Sequence, residues 1–241
     1  MAPTKQRSPL APIFITIDTF IHESMFNTMI QDPTIPAKLE ALEQYSTNLY
    51  ERYFSNPRIH ILPAMNNLHI GGSVMKAMNI IEKTYPKIEF VYYVQHDFQF
   101  VKDVDHTALT EAMKTHPDTL NLVRFLYKAE FHSGNCGNST SILMEHTLTY
   151  SPPNEQEKVP ERAKTILELV PTWKYSDNNH MARFHWYKDL IASLISLRRP
   201  PEFPLQVKAN ERCRSNDSLG LYRYPEIVLA HLDGKHSKAQ T

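Results

Sequence analysis

Gln95, His96 and Asp97 interrupt a largely apolar stretch, KIEFVYYVQHDFQFV, over residues 87–101. Six of the seven residues from Ile88 to Val94 are apolar, too continuous a run for an amphipathic helix. It predicts a strand buried on both faces that ends where the three polar residues begin. In an open parallel α/β sheet, ligands bind beyond the carboxyl ends of the strands. A carboxylate fixed there is placed to meet a metal ion or a phosphate-bearing ligand. Capping of the loop after a core strand accounts for the same aspartate, and both readings stand. Gly71-Gly72 has a similar pair of readings: a close backbone approach to a ligand, or the turn before a helix. Ser176-Asp177-Asn178-Asn179 carries the N-cap chemistry expected at a helix start.

These residues need elements to position them. Ile13–Ile21 (IFITIDTFI) is β-branched and aromatic and predicts a first strand, with a loop after Thr19. Leu39, Leu42, Tyr45, Leu49 and Tyr53 recur at helical spacing over residues 37–54, and Asn56-Pro57 stops that helix. Residues 58–65 (RIHILPAM) predict a second strand, and residues 66–72 a loop. A helix follows from Ser73 to about Lys83, with Val74, Met78 and Ile81 as its buried stripe. Strand, helix, strand, helix, strand favours a right-handed parallel α/β arrangement. Farther along, Asp105 caps a predicted helix over residues 105–115 with Leu109, Ala112 and Met113 inward. Residues 121–129 and 140–147 predict strands, and residues 162–170 fit helix or strand. A long helix is expected to open at Ser176–Asn179, with Phe184, Tyr187, Ile191 and Leu194 as its stripe, and to end before Pro200-Pro201. The strand-like LGLYRYPEIVLAHL leads to His231 and then His236. His231, directly after IVLA, is expected to be held more rigidly than His236.

Composition narrows the chemistry. Lys+Arg and Asp+Glu number 26 each among 241 residues, which gives no basic excess to suggest a nucleic-acid partner. Two cysteines, Cys136 and Cys213, make no disulfide scaffold and no zinc spacing. No apolar run approaches the roughly 20 residues of a membrane span, and residues 1–12 hold no hydrophobic signal region. The expectation is a soluble, cytoplasmic protein. GxGxxG, GxxxxGK[ST] and GxSxG motifs are all missing, against a dinucleotide fold, a P-loop hydrolase and a nucleophile elbow. A sugar nucleotidylyltransferase would carry a glycine-rich loop after its first strand, where this sequence reads Asp18-Thr19-Phe20-Ile21-His22.

The strand ending at Thr19, the run Asn67-Leu-His-Ile-Gly71-Gly72-Ser73-Val-Met-Lys-Ala77-Met-Asn79 and the following YYVQHDF together resemble the amino-terminal half of GT-A glycosyltransferases near family 2. The resemblance covers residues 12–130 and rests on motif order. It implies an α/β fold: one GT-A domain over residues 12–236, with a mainly parallel mixed sheet flanked by helices. Residues 12–130 would bind the nucleotide sugar and residues 131–236 the acceptor, with tails at 1–11 and 237–241. It implies transfer of a sugar from a nucleotide-sugar donor, a UDP-sugar favoured, to a glycan or other hydroxyl acceptor, with inversion. Thr19, Asn67, Gly71, Gly72, Gln95, His96 and Asp97 would line the donor. Asp97 with His231 or His236 would hold Mn²⁺ or Mg²⁺, and Asp177 would be the acceptor base. Gln95 stands where the family has the first carboxylate of Asp-x-Asp, so one negative charge is lost. The other reading is a non-catalytic nucleotide-sugar or protein-binding module on the same fold.

Overall fold

A computed structural model describes residues 11–16, 35–62, 69–95, 97–129, 140–149, 162–176, 178–195, 202–215 and 217–232. The chain divides into two compact units, residues 1–86 with 194–200 and residues 87–193 with 201–241. The boundaries along the sequence fall after Pro86, Ser193 and Pro200.

In the first unit, β1 (Ile13–Thr16) pairs in parallel with β2 (Ile59–Leu62), Ile13 opposite Ile59 and Thr16 opposite Leu62. Helix α1 (Ile35–Tyr53) lies between them in sequence, the crossover that a parallel pair requires. The ring of Phe14 on β1 stacks on His60 of β2 at 4.7 Å. Helix α2 (His69–Thr84) buries Val74, Ala77, Met78 and Ile81, a single face at three-to-four spacing. It begins four residues before the predicted start, so Gly71 and Gly72 belong to its first turn and not to a loop. The apolar stripe outweighs the roughly 1 kcal/mol that each glycine costs a helix.

The second unit is built on a six-stranded sheet in the order β3-β8-β5-β9-β7-β6. Its strands are β3 (Phe90–Tyr93), β5 (Leu122–Leu126), β6 (Ile142–Thr149), β7 (Arg162–Pro171), β8 (His180–Arg183) and β9 (Leu221–Ile227). Only β5 and β9 run parallel; the other four pairings are antiparallel. The α/β class and a mixed sheet hold, but within this sheet antiparallel pairings outnumber the parallel one. Where side chains on β6 and β7 are described, buried Ile142, Leu167 and Leu169 alternate with exposed Leu143 and Ile166, the half-solvated pattern of antiparallel strands. The strand buried throughout is β5, while every residue of β3 is only half-buried.

Helix α3 (His106–Thr115) starts as expected, with Asp105 accepting the Ala108 N–H at 2.8 Å. Its Ala108, Leu109, Ala112 and Met113 pack on Val123, Phe125, Met181, Tyr222 and Leu169, the core of this unit. The predicted helix from Ser176 is replaced by β8 followed by α4 (Phe184–Ile195). Pairing of β8 with both β3 and β5 takes residues 180–183 into the sheet, and the helix forms only beyond it. Helix α5 (Glu202–Arg214) was not expected, because only Leu205 and Ala209 give it a buried side. Its Pro204 sits in the first turn, where proline is tolerated. Short antiparallel strands β4 (Phe98–Phe100) and β10 (Leu229–His231) form a separate ribbon.

Candidate functional site

Gln95 and Asp97, after β3, belong to a tight turn. The carbonyl of Gln95 accepts the N–H of Phe98 at 3.3 Å, closing residues 95–98 before β4 begins. Strand β10 then pairs with β4, His231 directly opposite Phe98. The N–H of Leu232 donates to the Asp97 carbonyl at 2.7 Å, which continues the ribbon past the turn. That register brings the imidazole Nε2 of His231 to 3.2 Å from Asp97 Oδ2. The separation lies inside the roughly 6 Å within which two groups can share one ion.

The pair is half open to solvent, with the Asp97 side chain 38% and the His231 side chain 19% exposed. Beneath it lies an aromatic layer. The His231 ring is 4.5 Å from that of Phe98 and 5.8 Å from that of Tyr127, which follows the end of β5. The ammonium of Lys128 stands 5.0 Å above the Tyr127 ring, so this rim joins one carboxylate, one imidazole and one cation.

Asn179 ties the turn from below. Its Oδ1 accepts the N–H of Gln95 at 2.7 Å, and its Nδ2 donates to the carbonyl of Phe98 at 3.4 Å. The next residue, His180, is fully buried, its ring 5.0 Å from both Tyr93 and Tyr187. Its Nδ1 donates to the Asn178 carbonyl at 2.7 Å, which leaves the proton off Nε2 in the neutral ring. Burial pushes its pKa down to about 4; the Asn178 carbonyl opposes that shift and the charge of Arg124 adds to it. His180 is therefore neutral near pH 7 and serves packing. The Tyr92 hydroxyl is shifted the other way, its pKa raised by burial and by Tyr224, and it bonds His106 Nδ1 at 2.7 Å.

Of the residues singled out in the sequence, the structure brings together Asp97 and His231, with Gln95 on the same turn. Gly71 and Gly72 belong to α2 in the first unit. A Cβ placed on Gly71 would meet nothing within 4 Å among the described residues, so packing there does not demand glycine. Thr19, Asn67, His96, Asp177 and His236 lie outside the described residues. The reason for giving Asp177 a helix start is withdrawn, since α4 opens at Phe184. Asn179 was missed, because Ser-Asp-Asn-Asn reads as capping chemistry. Among the described residues no three His, Cys, Asp or Glu side chains gather for a metal, so Asp97 and His231 stand as a pair.

No family model matches this chain, and no curated protein matches it. Among solved structures it is similar to a UTP-bound UGPase from Acinetobacter baumannii, over 88% of this chain and 70% of that one, at 12% identity and a TM-score of 0.32. A likeness at that score transfers neither fold nor chemistry.

Proposed function

We propose that this chain is a nucleotide-sugar-dependent glycosyltransferase of GT-A type that acts with inversion, its donor a UDP-sugar. The observation that carries the reading is the 3.2 Å approach of His231 to Asp97, delivered by β10 onto the turn after β3. A carboxylate oxygen and an imidazole nitrogen are donors that Mn²⁺ accepts, and diphosphate oxygens with water would complete the shell. The residues present therefore fit a two-ligand site. A bound divalent ion would supply positive charge where the leaving diphosphate gains negative charge.

The chain's own groups have the remaining tasks. Backbone bonds on both sides of Asp97 hold the carboxylate in place. Gln95, uncharged, is available for hydrogen bonding to the donor, and Lys128 gives the rim a further cation near the diphosphate. Thr19, Asn67, Gly71, Gly72 and His96 are proposed as the other donor contacts, and His236 as a second histidine for the ion. Asp177, two residues before Asn179 in sequence, is proposed as the base that takes the acceptor hydroxyl proton.

The test is a thermal-shift and calorimetric titration with UDP and UDP-sugars, with and without Mn²⁺, followed by an assay of sugar release and transfer. Ligand at about 100 times its dissociation constant should stabilise the folded chain by about 2.7 kcal/mol. Absence of any Mn²⁺-dependent UDP binding would overturn the reading. Binding without release or transfer would identify the non-catalytic module instead.

A further inference from the structure

We propose that Asn179 is a positioning residue that sets where Asp97 stands. Asn179 is fully buried, and a buried amide must find partners for its donor and acceptor. Its side chain finds both in one place, at the two ends of the turn bearing Asp97. Oδ1 takes the Gln95 N–H at 2.7 Å, and Nδ2 reaches the Phe98 carbonyl at 3.4 Å. Only one orientation of the amide satisfies both, since the acceptor must face an N–H and the donor a carbonyl.

The clamp is itself anchored. The backbone carbonyl of Asn179 accepts the N–H of Phe125 at 3.0 Å, on the strand that is buried along its whole length. Asp97 is thus referenced to the centre of the sheet and not to neighbouring loops. A core asparagine that merely satisfied itself would have no reason to bond both flanks of a turn 81 to 84 residues away in sequence. Serine is too short to reach both flanks, and aspartate would set a buried carboxylate against the Phe98 carbonyl. The link to ion binding rests on the function proposed above; the positioning of the turn does not.

Amide hydrogen exchange tests the positioning. In the wild-type chain the Gln95 amide should be protected, although it lies beyond the end of β3. In Asn179→Ala, protection at Gln95 and Phe98 should fall at least about tenfold while Val123 and Leu169 keep theirs. Leu205→Ala, a core truncation on α5, should leave Gln95 and Phe98 unchanged. A wild-type Gln95 that exchanges as an open loop overturns the proposal, as does unaltered exchange in Asn179→Ala. Loss of protection across the whole sheet, or failure of that variant to fold, makes Asn179 a general core residue and overturns it too.

A second arm measures binding of Mn²⁺ with UDP. Asn179→Ala should weaken it about 10–100-fold, as removal of a residue that orients a ligand does, with Leu205→Ala unaffected. Wild-type affinity in Asn179→Ala overturns the proposal. If the wild-type chain takes up no Mn²⁺ with UDP, the functional reading falls, and hydrogen exchange still decides the role of Asn179.

Discussion

Asp97→Asn keeps the shape of a side chain and removes its charge, so it separates chemistry from folding at the centre of the site. Half-exposed ion pairs contribute about 0–1 kcal/mol, and the backbone bonds of the turn remain. The variant should melt within a few degrees of wild type while losing Mn²⁺-dependent UDP binding by calorimetry; wild-type affinity would remove Asp97 from the site. His180 offers a test in the sheet. Its pKa is lowered in the folded chain from 6.5 to about 4, so between those values the unfolded chain binds a proton that the folded chain refuses. Its contribution to stability is complete above about pH 6.5, is lost as pH falls towards 4, and changes no further below that. The loss amounts to about 3 kcal/mol. Denaturant titrations at pH 7.5 and pH 4.5 should show a smaller difference for His180→Gln than for wild type, and equal differences would refute the assignment. Asp97 was legible in the sequence because it breaks an apolar run. Asn179 was not, because its partners at residues 95 and 98 are set by a pairing between distant strands.

Elements were legible in proportion to how far local pattern agreed with tertiary demand. Helix α3 has both, a capping aspartate and an apolar face, and it lies within a residue of its predicted span. At β8 the two conflict, and sheet pairing on both sides wins over the capping signal at Ser176–Asn179. Arg183, the last residue of that strand, fixes the outcome: its Nε donates to the Leu120 carbonyl at 2.9 Å and its guanidinium also reaches the carbonyl of Met113. Burial lowers the pKa of this arginine. Glycine has a definite task at the entrance to β9. Gly220 has φ +69°, and an added Cβ would stand 2.7 Å from both Asn121 Nδ2 and the Thr119 carbonyl. Its own carbonyl accepts the N–H groups of Asn121 and Leu122, at 2.9 and 3.1 Å. Gly220→Ala should therefore cost at least the roughly 1–2 kcal/mol of a left-handed non-glycine residue, read as a lower denaturant midpoint. An unchanged midpoint would show that the corner relaxes freely.

For the molecule as a whole, Cys213 is disulfide-bonded. Such bonds persist in oxidising surroundings and are lost to reductants. Unreduced, Cys213 should resist alkylation as read by mass spectrometry, and reduction should lower the melting temperature through the loss of about 2–4 kcal/mol. A Cys213 thiol alkylated in the native chain would refute the bond. No described helix is long and apolar enough to cross a membrane. The sheet order has a further consequence during synthesis. Strand β9 lies between β5 and β7, yet every other strand of that sheet is made before it. While a ribosome is still adding residues 216–231, β5 and β7 present bare edges to the cell, with no hairpin neighbour to cover them. Such edges invite strand addition by other chains. The same late segment brings His231 to Asp97, so that contact, like the covering of the two edges, waits until β9 and β10 emerge.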